Sequence, residues 1–211
     1  MNATFHTGAK IQIKEDIASF FDTIRSKQVL EIWKDFFKFS EEIAQILTRL
    51  TTNSKGGISQ GVPTSPYIAN LVFWKDEPTI VKRLNERNFI YSRYVDDVTI
   101  SSKTKITKDD KTWIISQIIY LFGRNGFKLK RSKHEVTTAS KPMINMGLNI
   151  NCKRKPTIPK SKRHQLRSEV HEFSKNTKKD EQTKRSLTGK IARVKKLHPS
   201  IGKKLMKNLE E

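Results

Sequence analysis

An α+β fold, in which an antiparallel sheet carries helices on one face, is the class that this 211-residue sequence predicts. The first observation is at residues 89–102, where two adjacent Asp residues separate two runs of β-branched and aromatic residues, the pattern of a β-hairpin. The second is the helical spacing of apolar residues on both sides of this hairpin, at 26–50 and 107–122. The third is a change after Pro156, where the chain becomes helical and basic.

Each element follows from its local pattern. Residues 11–17 alternate apolar and polar side chains, which predicts a half-buried strand. Ser40, with two acids directly after it, has the pattern of a helix N-cap, so residues 26–50 are expected to form two helices. Residues 1–10 show no clear periodicity, and His6 among them is expected to be a surface or packing histidine. The other predicted elements are a helix at 66–86, a helix at 107–122, strands at 127–129, 133–138 and 143–150, and helices at 162–174, 180–197 and 200–209.

The charge of the chain points to nucleic acid as a partner. Lys and Arg number 42 against 21 Asp and Glu, a formal charge of +21, and residues 151–211 alone carry 19 − 6 = +13. No apolar run is long enough to span a membrane, and no segment has the pattern of a signal peptide. The single Cys152 excludes an internal disulfide framework and a Cys-based zinc site. We therefore expect a protein of a reducing cytoplasm with no membrane partner.

Asp96 and Asp97 lie at the tip of the predicted hairpin and allow two interpretations. Asp tolerates tight turns, so both carboxylates can simply be solvated there. Alternatively, their oxygens converge on Mg²⁺, which binds a few carboxylates together with substrate phosphates. The local pattern favours neither interpretation over the other.

Two further segments carry candidate functional residues. Asp16 lies near the end of the first predicted strand, with two Phe residues at positions 20 and 21. This pattern fits an ordinary loop cap with core aromatics as well as a functional acid. A glycine-rich stretch contains Gln60 and Gly61 just before a predicted helix, and a glycine at such a place lets the backbone approach a ligand closely. The stretch lacks the Gly-Lys-Ser/Thr pattern of a P-loop.

Taken in order, four segments resemble the palm motifs of reverse transcriptases. They are IKEDIASFF at 13–21, GISQGVPTSP at 57–66, YVDD at 94–97 and GFKLKRSK at 126–133. The NATFH stretch at 2–6 is further similar to an Asn-Ala-x-x-His element of bacterial retron reverse transcriptases. The NMGLNIN stretch at 145–151 stands where that group carries Val-Thr-Gly-Leu-x-Val-Asn, so Asn-Met replaces Val-Thr.

The resemblance implies a polymerase right-hand palm at residues 1–152 and a basic α-helical thumb at 153–211, in a bacterial cytoplasmic protein. Because the chain begins directly at the Asn-Ala element, we expect the fingers region to be missing, and a fingers-bearing polypeptide or a retron effector protein to be a partner. The implied function is RNA-directed DNA polymerase, which synthesises DNA on an RNA template in retron msDNA synthesis and anti-phage defence. Alternatives are an inactive or split remnant that binds RNA, and a group II intron-like or untemplated defence-associated polymerase.

The resemblance also implies the catalytic residues. Asp16 and Asp96 would be shared ligands of two Mg²⁺ ions about 3.5–4 Å apart, with Mn²⁺ as a substitute. Asp97 would complete the cluster, and the backbone carbonyl of Ile17 would help to hold the ion on the nucleotide side. Lys133 would protonate or neutralise the leaving pyrophosphate, although in so basic a chain it also fits a solvated charge. In the same way, Arg93 beside the hairpin fits a strand-surface charge.

Contacts with nucleotide and nucleic acid complete the implied site. Phe21 would close the floor under the ribose 2′ position of an incoming deoxynucleoside triphosphate, with Phe20 facing the core, although the reverse assignment stays open. Gln60 and Gly61 would lie against the nucleotide and the template base, and Gly147 matches the primer-grip strand. The basic residues expected to hold the RNA template and the RNA/DNA primer duplex through phosphates are Lys153, Arg154, Lys160, Lys162 and Arg163.

Overall fold

A computed structural model of the protein describes residues 2–152, 154–175 and 180–210. These residues form two compact units. The first contains Asn2 and residues 10–138, and the second contains residues 3–9 together with the described residues that follow Thr138. In neither unit does a described helix have the length and apolar character needed to cross a membrane.

A four-stranded antiparallel sheet organises the first unit. Its strands are β1 (Ile11–Asp16), β2 (Ile90–Tyr94), β3 (Asp97–Ser102) and β4 (Glu135–Thr138), and they lie in the order β2-β3-β1-β4. In the pairing of β1 with β3, Ile13 lies opposite Ile100 and Asp16 lies opposite Asp97. All residues of β1 except Lys14 are buried, so the strand is not the half-buried one that its alternating sequence predicts. The reason is its central position, where it pairs along both edges.

Residues 2–124 contain seven α-helices and one π-helical turn. The first helix lies, apart from Asn2, in the second unit, and the others lie in the first unit. Their bounds are α1 (Asn2–Phe5), α2 (Phe20–Thr23), α3 (Ser26–Glu31), a π-helical turn (Ile32–Phe36), α4 (Glu41–Thr51), α5 (Ser65–Leu71), α6 (Glu77–Glu86) and α7 (Lys108–Arg124). The predicted N-cap of α4 is confirmed, since the Ser40 hydroxyl accepts a hydrogen bond from the Ile43 N–H. A 3₁₀ turn (Arg131–Lys133) precedes β4.

Four phenylalanines form the centre of the core of this unit. Phe73 stacks on Phe20 with ring centroids 5.9 Å apart, and its centroid is 5.5 Å from that of Phe122 and 5.0 Å from that of Phe127. Aromatic pairs at such distances contribute about 0.5–1.5 kcal/mol beyond the area that they bury. The cluster thus joins α2, α7 and the segments that follow α5 and α7 into one packed core.

The predicted single helix at 66–86 is wrong, because the structure has two helices there with turns at 72–76. Pro78 stands in the first turn of α6, where its missing N–H needs no partner. In a continuous helix the same proline would lie in the interior, lose a hydrogen bond and clash with the preceding turn. A helix break therefore forms before it.

Two shorter predictions also differ from the structure. Residues 127–129 do not form a strand of their own, and only one bridge joins Leu129 to Ile17. The strand expected at 133–138 begins at Glu135 instead, because Lys133 lies in the 3₁₀ turn.

In the second unit, a small hairpin packs with three helices. The hairpin joins β5 (Ile144–Asn145) to β6 (Leu148–Asn149) through Met146 and Gly147, which have positive φ angles of 49° and 74°. Such a two-residue turn suits the right-handed twist of paired strands. The helices are α8 (Lys160–Lys175), α9 (Glu181–Leu197) and α10 (Pro199–Glu210), and they agree with the predicted helices to within a few residues.

The division between the units falls after Thr138, whereas the sequence predicts a boundary after Cys152. Apolar residues of the segment in between account for the difference. Met143, Leu148 and Ile150 are buried in the same cluster as the side chains of the three helices.

His6 is completely buried in the second unit, and burial lowers its pKa to about 4. The unfolded chain therefore takes up a proton below about pH 6.5, while the folded protein does not until about pH 4. We expect the free energy of unfolding to fall by up to about 3 kcal/mol as the pH drops through this window. Urea unfolding at pH 7 and pH 4.5 measures the effect, and His6→Gln should reduce it.

His171→Gln is the matched control, because His171 is exposed on α8 of the same unit. Its pH dependence should equal that of the unchanged protein. NMR titration of the His6 imidazole supplies a second measurement if His6→Gln does not fold. An imidazole that titrates near pH 6.5 would contradict the expectation.

Candidate active site

Three aspartates meet at one end of the central sheet. Asp16 is the last residue of β1 and pairs directly with Asp97, the first residue of β3. Asp96 precedes β3 in the hairpin turn, and its carbonyl accepts a hydrogen bond of 3.2 Å from the Ile17 N–H. Asp16 is almost completely buried, Asp96 is partly buried and Asp97 is exposed. The pairing of β1 with β3 thus brings together the acids that the sequence names.

The hairpin turn itself differs from the predicted one. The sequence places Asp96 and Asp97 together at the tip, but Tyr94 pairs with Asp97, so Val95 and Asp96 make the turn. Val95 has a φ of +58°, a left-handed conformation that is a true outlier for a β-branched residue. Asp97 therefore belongs to the regular strand, opposite Asp16, rather than to the turn.

The three carboxylates repel one another. Although Asp97 is exposed as a residue, partial burial of its carboxyl group is the largest cause of its raised pKa. The charges of Asp96 and Asp16 raise this pKa further, and the charge of Lys133 opposes the shift. The Lys133 ammonium forms an ion pair with the Asp16 carboxylate. Its pKa is raised by the hydrogen bond to Asp16 and by the charges of the three aspartates, so it is protonated at neutral pH.

The segment that carries Lys133 is held against the end of β1. The Lys130 N–H donates to the Asp16 carbonyl at 2.8 Å, and the Ala18 N–H donates to the Lys128 carbonyl at 2.9 Å. The 3₁₀ turn at Arg131–Lys133 then directs the ammonium back to the carboxylate. Backbone bonds therefore set the position of this lysine.

Glu15 and His134 form a neighbouring pair that the sequence alone did not reveal. The Glu15 carboxylate is buried and lies 2.7 Å from His134 Nδ1. Burial raises the pKa of Glu15, and the hydrogen bond from His134 opposes this. In a strand of alternating polarity an acidic residue is expected to face solvent. Because β1 is a central strand, Glu15 is buried instead, and a buried carboxylate needs a partner.

The two phenylalanines after Asp16 have different environments. Phe20 is buried in the aromatic core, and Phe21 is half-buried with its ring edge-on to Phe20 at a centroid distance of 5.9 Å. This agrees with the expectation that Phe20 faces the core. Gln60 and Gly61 are exposed in the turn before α5, with a φ of +84° at Gly61. No hydrogen bond joins Gln60 to the acids in the part of the chain that the structure describes.

The predicted nucleic-acid contacts lie in the second unit. Arg154, Lys160 and Lys162 are exposed and Arg163 is partly buried, while Lys153 lies outside the described residues. Gly147 is exposed in the hairpin turn, and Arg193 donates to the neighbouring Met146 carbonyl at 3.4 Å. An open groove of about 300 Å³ has a lining that includes Gly147, Lys162, Lys190 and Arg193.

The three aspartates supply the carboxylate oxygens that a divalent cation needs, but their side chains are not yet arranged around one metal position. Among residues 2–152, 154–175 and 180–210, no group of three or more His, Cys, Asp or Glu side chains is already arranged to hold a metal ion. Yet strand pairing places Asp16 opposite Asp97, and the charges of Asp96 and Asp16 add to the effect of burial in raising the pKa of Asp97. Carboxylate oxygens are the ligands that Mg²⁺ prefers. A cation would compete with Lys133 for the Asp16 carboxylate. The donor set therefore fits such an ion.

Comparison with known proteins agrees with this geometry. Residues 2–150 match the family model described as reverse transcriptase (RNA-dependent DNA polymerase). The chain is 30% identical over 207 residues to the Retron Se72 reverse transcriptase of Salmonella heidelberg, covering 93% of this chain and 54% of that protein. It is 28% identical over 201 residues to the Retron Ec48 reverse transcriptase of Escherichia coli, covering 92% and 48%. The chain thus spans about half the length of these relatives.

Solved structures show a similar fold. Apo telomerase from Candida tropicalis superposes with a TM-score of 0.55 and 13% identity, covering 90% of this chain and 44% of that one. Telomerase from Candida albicans, in complex with a fragment of telomeric RNA, gives a TM-score of 0.54 and 11% identity, covering 93% and 40%. These similarities confirm the predicted class, an α+β polymerase palm with an antiparallel sheet followed by a helical thumb.

The matched family model spans most of the chain, and both relatives are retron enzymes. Reverse transcriptases as a family use divalent metal ions, which agrees with the converging carboxylates. The chain belongs to the reverse transcriptase family and is similar to its bacterial retron members.

Proposed function

We propose that this protein is an RNA-directed DNA polymerase that adds deoxynucleotides to a primer on an RNA template. The observation that carries the proposal is the direct pairing of Asp16 with Asp97, with Asp96 beside them and Lys133 paired to Asp16. In this reaction the primer 3′-hydroxyl attacks the α-phosphorus of the incoming triphosphate, the P–O bond to pyrophosphate breaks, and the hydroxyl proton is lost. A mere RNA-binding protein has no need for three mutually repelling acids.

Asp16, Asp96 and Asp97 would hold two Mg²⁺ ions, with Mn²⁺ as a substitute, and the Ile17 carbonyl would assist. When bound, two such ions stabilise the attacking and the leaving oxygens together. The mutual repulsion of the carboxylates supports this role, because a cation relieves it. Asp16 is buried and fixed by its strand, while Asp96 and Asp97 are more accessible.

Lys133 would neutralise or protonate the departing pyrophosphate. It is charged at neutral pH, and its present partner Asp16 is also a proposed metal ligand. Binding of a cation by Asp16 would free the ammonium for the phosphate. The backbone bonds that position residues 128–133 keep the lysine at this end of the sheet.

Phe21 would select deoxyribose, and Gln60 with Gly61 would contact the nucleotide and the template base. The half-buried ring of Phe21 is supported by the core residue Phe20, so it can present a rigid surface to a sugar. The positive φ of Gly61 fits a close backbone approach.

The second unit would hold the RNA template and the RNA/DNA primer duplex. Gly147 is exposed in a tight turn, where it would let a primer backbone pass closely. Cationic side chains bind phosphates without reading sequence, which suits a polymerase. The proposed cationic contacts are Lys153, Arg154, Lys160, Lys162 and Arg163.

In the cell, we propose msDNA synthesis and anti-phage defence in the bacterial cytoplasm, as the resemblance of the sequence to retron reverse transcriptases implies. A polypeptide that bears fingers and a retron effector protein are the proposed protein partners. Because the chain covers about half of its relatives, activity is best assayed both with the chain alone and with such a partner.

A second candidate function is RNA binding without catalysis. It is favoured by the ion pair that occupies Asp16 and by the absence, in the described ranges, of a ready-made group of metal ligands. The basic second unit would suffice for such a role. Metal binding and primer extension separate the two candidates.

Asp96→Asn should abolish most DNA synthesis, because it removes one proposed metal ligand. Metal ions supply several kcal/mol of transition-state stabilisation, so we expect a loss of at least about 100-fold in the rate of primer extension. Labelled deoxynucleotide incorporation, with and without added RNA, measures this. Asp109→Asn, at an exposed position in the first turn of α7, is the control. Undiminished synthesis by the Asp96→Asn protein would refute the assignment.

Asp97→Asn should leave the metal-free protein at least as stable as the unchanged one at pH 7. The pKa of Asp97 is higher in the folded protein than in the unfolded chain, so its charge opposes folding at neutral pH and this opposition fades as the pH falls. Added Mg²⁺ should raise the melting temperature of the unchanged protein and raise that of the variant less. Asp22→Asn, at an exposed site, is the control. An equal Mg²⁺-induced rise in melting temperature in all three proteins would contradict the assignment of Asp97 as a metal ligand.

Phe21→Ala should relax the choice of sugar, because the bulk that excludes a 2′-hydroxyl is removed. We expect the ratio of ribonucleotide to deoxyribonucleotide incorporation to rise by at least about tenfold, since one steric contact is worth about 1–3 kcal/mol. Phe20→Ala is the contrasting variant and should lower the free energy of unfolding by about 3–5 kcal/mol, because Phe20 is a core residue. An unchanged ratio in Phe21→Ala would assign Phe21 to the core instead.

A further inference from the structure

Arg93 lies on β2, three positions before Asp96, and its side chain is only 5% exposed. From the sequence, Arg93 also fits a charge on the strand surface, whereas the structure buries it. An arginine is almost never buried unless its charge is paired. A buried guanidinium this close to the acidic cluster therefore needs a structural explanation.

The buried charge is paired with Glu77, the first residue of α6. Arg93 Nε and Nη2 donate to the two carboxylate oxygens of Glu77 at 2.7 and 2.8 Å, a bidentate pair. The Tyr91 hydroxyl donates to the same carboxylate at 2.6 Å, and the guanidinium lies over the ring of Phe73 at 4.9 Å. Helix α6 and the central aromatic core thus hold this side chain in one orientation.

The remaining donors of Arg93 reach backbone carbonyls. Nη2 donates to the Asn70 carbonyl at 2.8 Å, and Nη1 donates to the Val95 carbonyl at 2.9 Å. The Val95 carbonyl belongs to the peptide that joins Val95 to Asp96. Val95 has the left-handed φ of +58°, and such a conformation persists only where its surroundings hold it.

The peptide on the other side of Asp96 is held as well. Its carbonyl accepts the hydrogen bond from the Ile17 N–H, directly after Asp16. Both peptides that flank Asp96 are therefore fixed, one by Arg93 and one by the continuation of β1. These two bonds leave the Asp96 backbone little freedom to rotate.

We propose that Arg93, oriented by Glu77, is a positioning residue that holds the strained Val95–Asp96 turn and so directs the carboxylates of Asp96 and Asp97 toward that of Asp16. This inference rests on the proposed function of these three acids. It assigns to Arg93 a role through the hairpin backbone, without contact with the substrate. Lysine cannot replace it, because one ammonium cannot form the bidentate pair and reach both carbonyls.

Arg93→Lys is the test variant and Arg87→Lys is its matched control, since Arg87 stacks on Trp113 outside the hairpin. Glu77→Gln is the second variant, because it keeps the shape of the partner and removes its charge. The four proteins are compared at a temperature where urea unfolding shows each to be folded. An effect of the substitution on the geometry of the turn is thereby distinguished from a loss of global stability.

Three measurements test the inference. Amide hydrogen exchange of residues 95–97 should rise in Arg93→Lys relative to that of residues 99–101. The Mg²⁺ concentration that gives half of the melting-temperature shift should rise by about 10-fold or more, since loss of a residue that orients metal ligands typically weakens affinity 10- to 100-fold. The kcat of primer extension should fall by a similar factor, with the affinity for primer–template unchanged. Glu77→Gln should move all three in the same direction.

An unchanged exchange rate at 95–97 in both Arg93→Lys and Glu77→Gln would overturn the inference, as would changes equal to those of Arg87→Lys. The exchange measurement needs neither metal nor polymerase activity. If the unchanged protein makes no DNA, either alone or with a fingers-bearing partner, the proposed function fails, while the exchange data still decide whether Arg93 holds the turn.

Discussion

The antiparallel register of β1 with β3 is the constraint on which the candidate site depends. It places Asp16 opposite Asp97 and brings the Asp96 carbonyl within reach of the Ile17 N–H. A slip of one residue would turn Asp16 to the other face of the sheet. The apolar residues of the same strands, such as Ile13 opposite Ile100, are buried in this register, so the core that stabilises the sheet also fixes the acids.

Burying acidic residues at the end of the central strand β1 has an energetic cost, which neighbouring basic residues offset. Glu15 and Asp16 are both buried, and a buried charge is tolerated only with a partner. His134 supplies one partner and Lys133 the other, and both lie on the short segment between α7 and β4. Burial, followed by the charges of Asp96 and Asp16, raises the pKa of Asp97, and the charge of Lys133 offsets this only in part. A bound divalent cation would reduce the electrostatic repulsion among these carboxylates.

Much of this arrangement could be predicted from the sequence because it is local. The hairpin, the strand that ends at Asp16, the N-cap at Ser40 and the basic helices follow from short patterns, and their existence is confirmed. The helix break before Pro78 could also have been predicted, since proline disfavours a helix interior. The apolar periodicity of residues 66–86 instead indicated one continuous helix.

Other features could not be predicted because they depend on contacts between distant segments. Arg93 reads as a surface charge until the fold places Glu77 beside it, and Glu15 reads as solvent-facing until β1 becomes the central strand. The segment 139–152 joins the second unit because its apolar side chains are buried with the helices there.

By itself, the sequence determined which chemical groups are present, where each local element lies and, through its ordered motifs, the family. Only the tertiary structure decided that Asp97 pairs with Asp16 instead of lying in the turn, that Lys133 reaches the same carboxylate, and that the buried Arg93 donates to the Val95 carbonyl in the turn. The physical reason is that strand register and ion pairing are set by residues far apart in the chain, whose contacts no local pattern encodes.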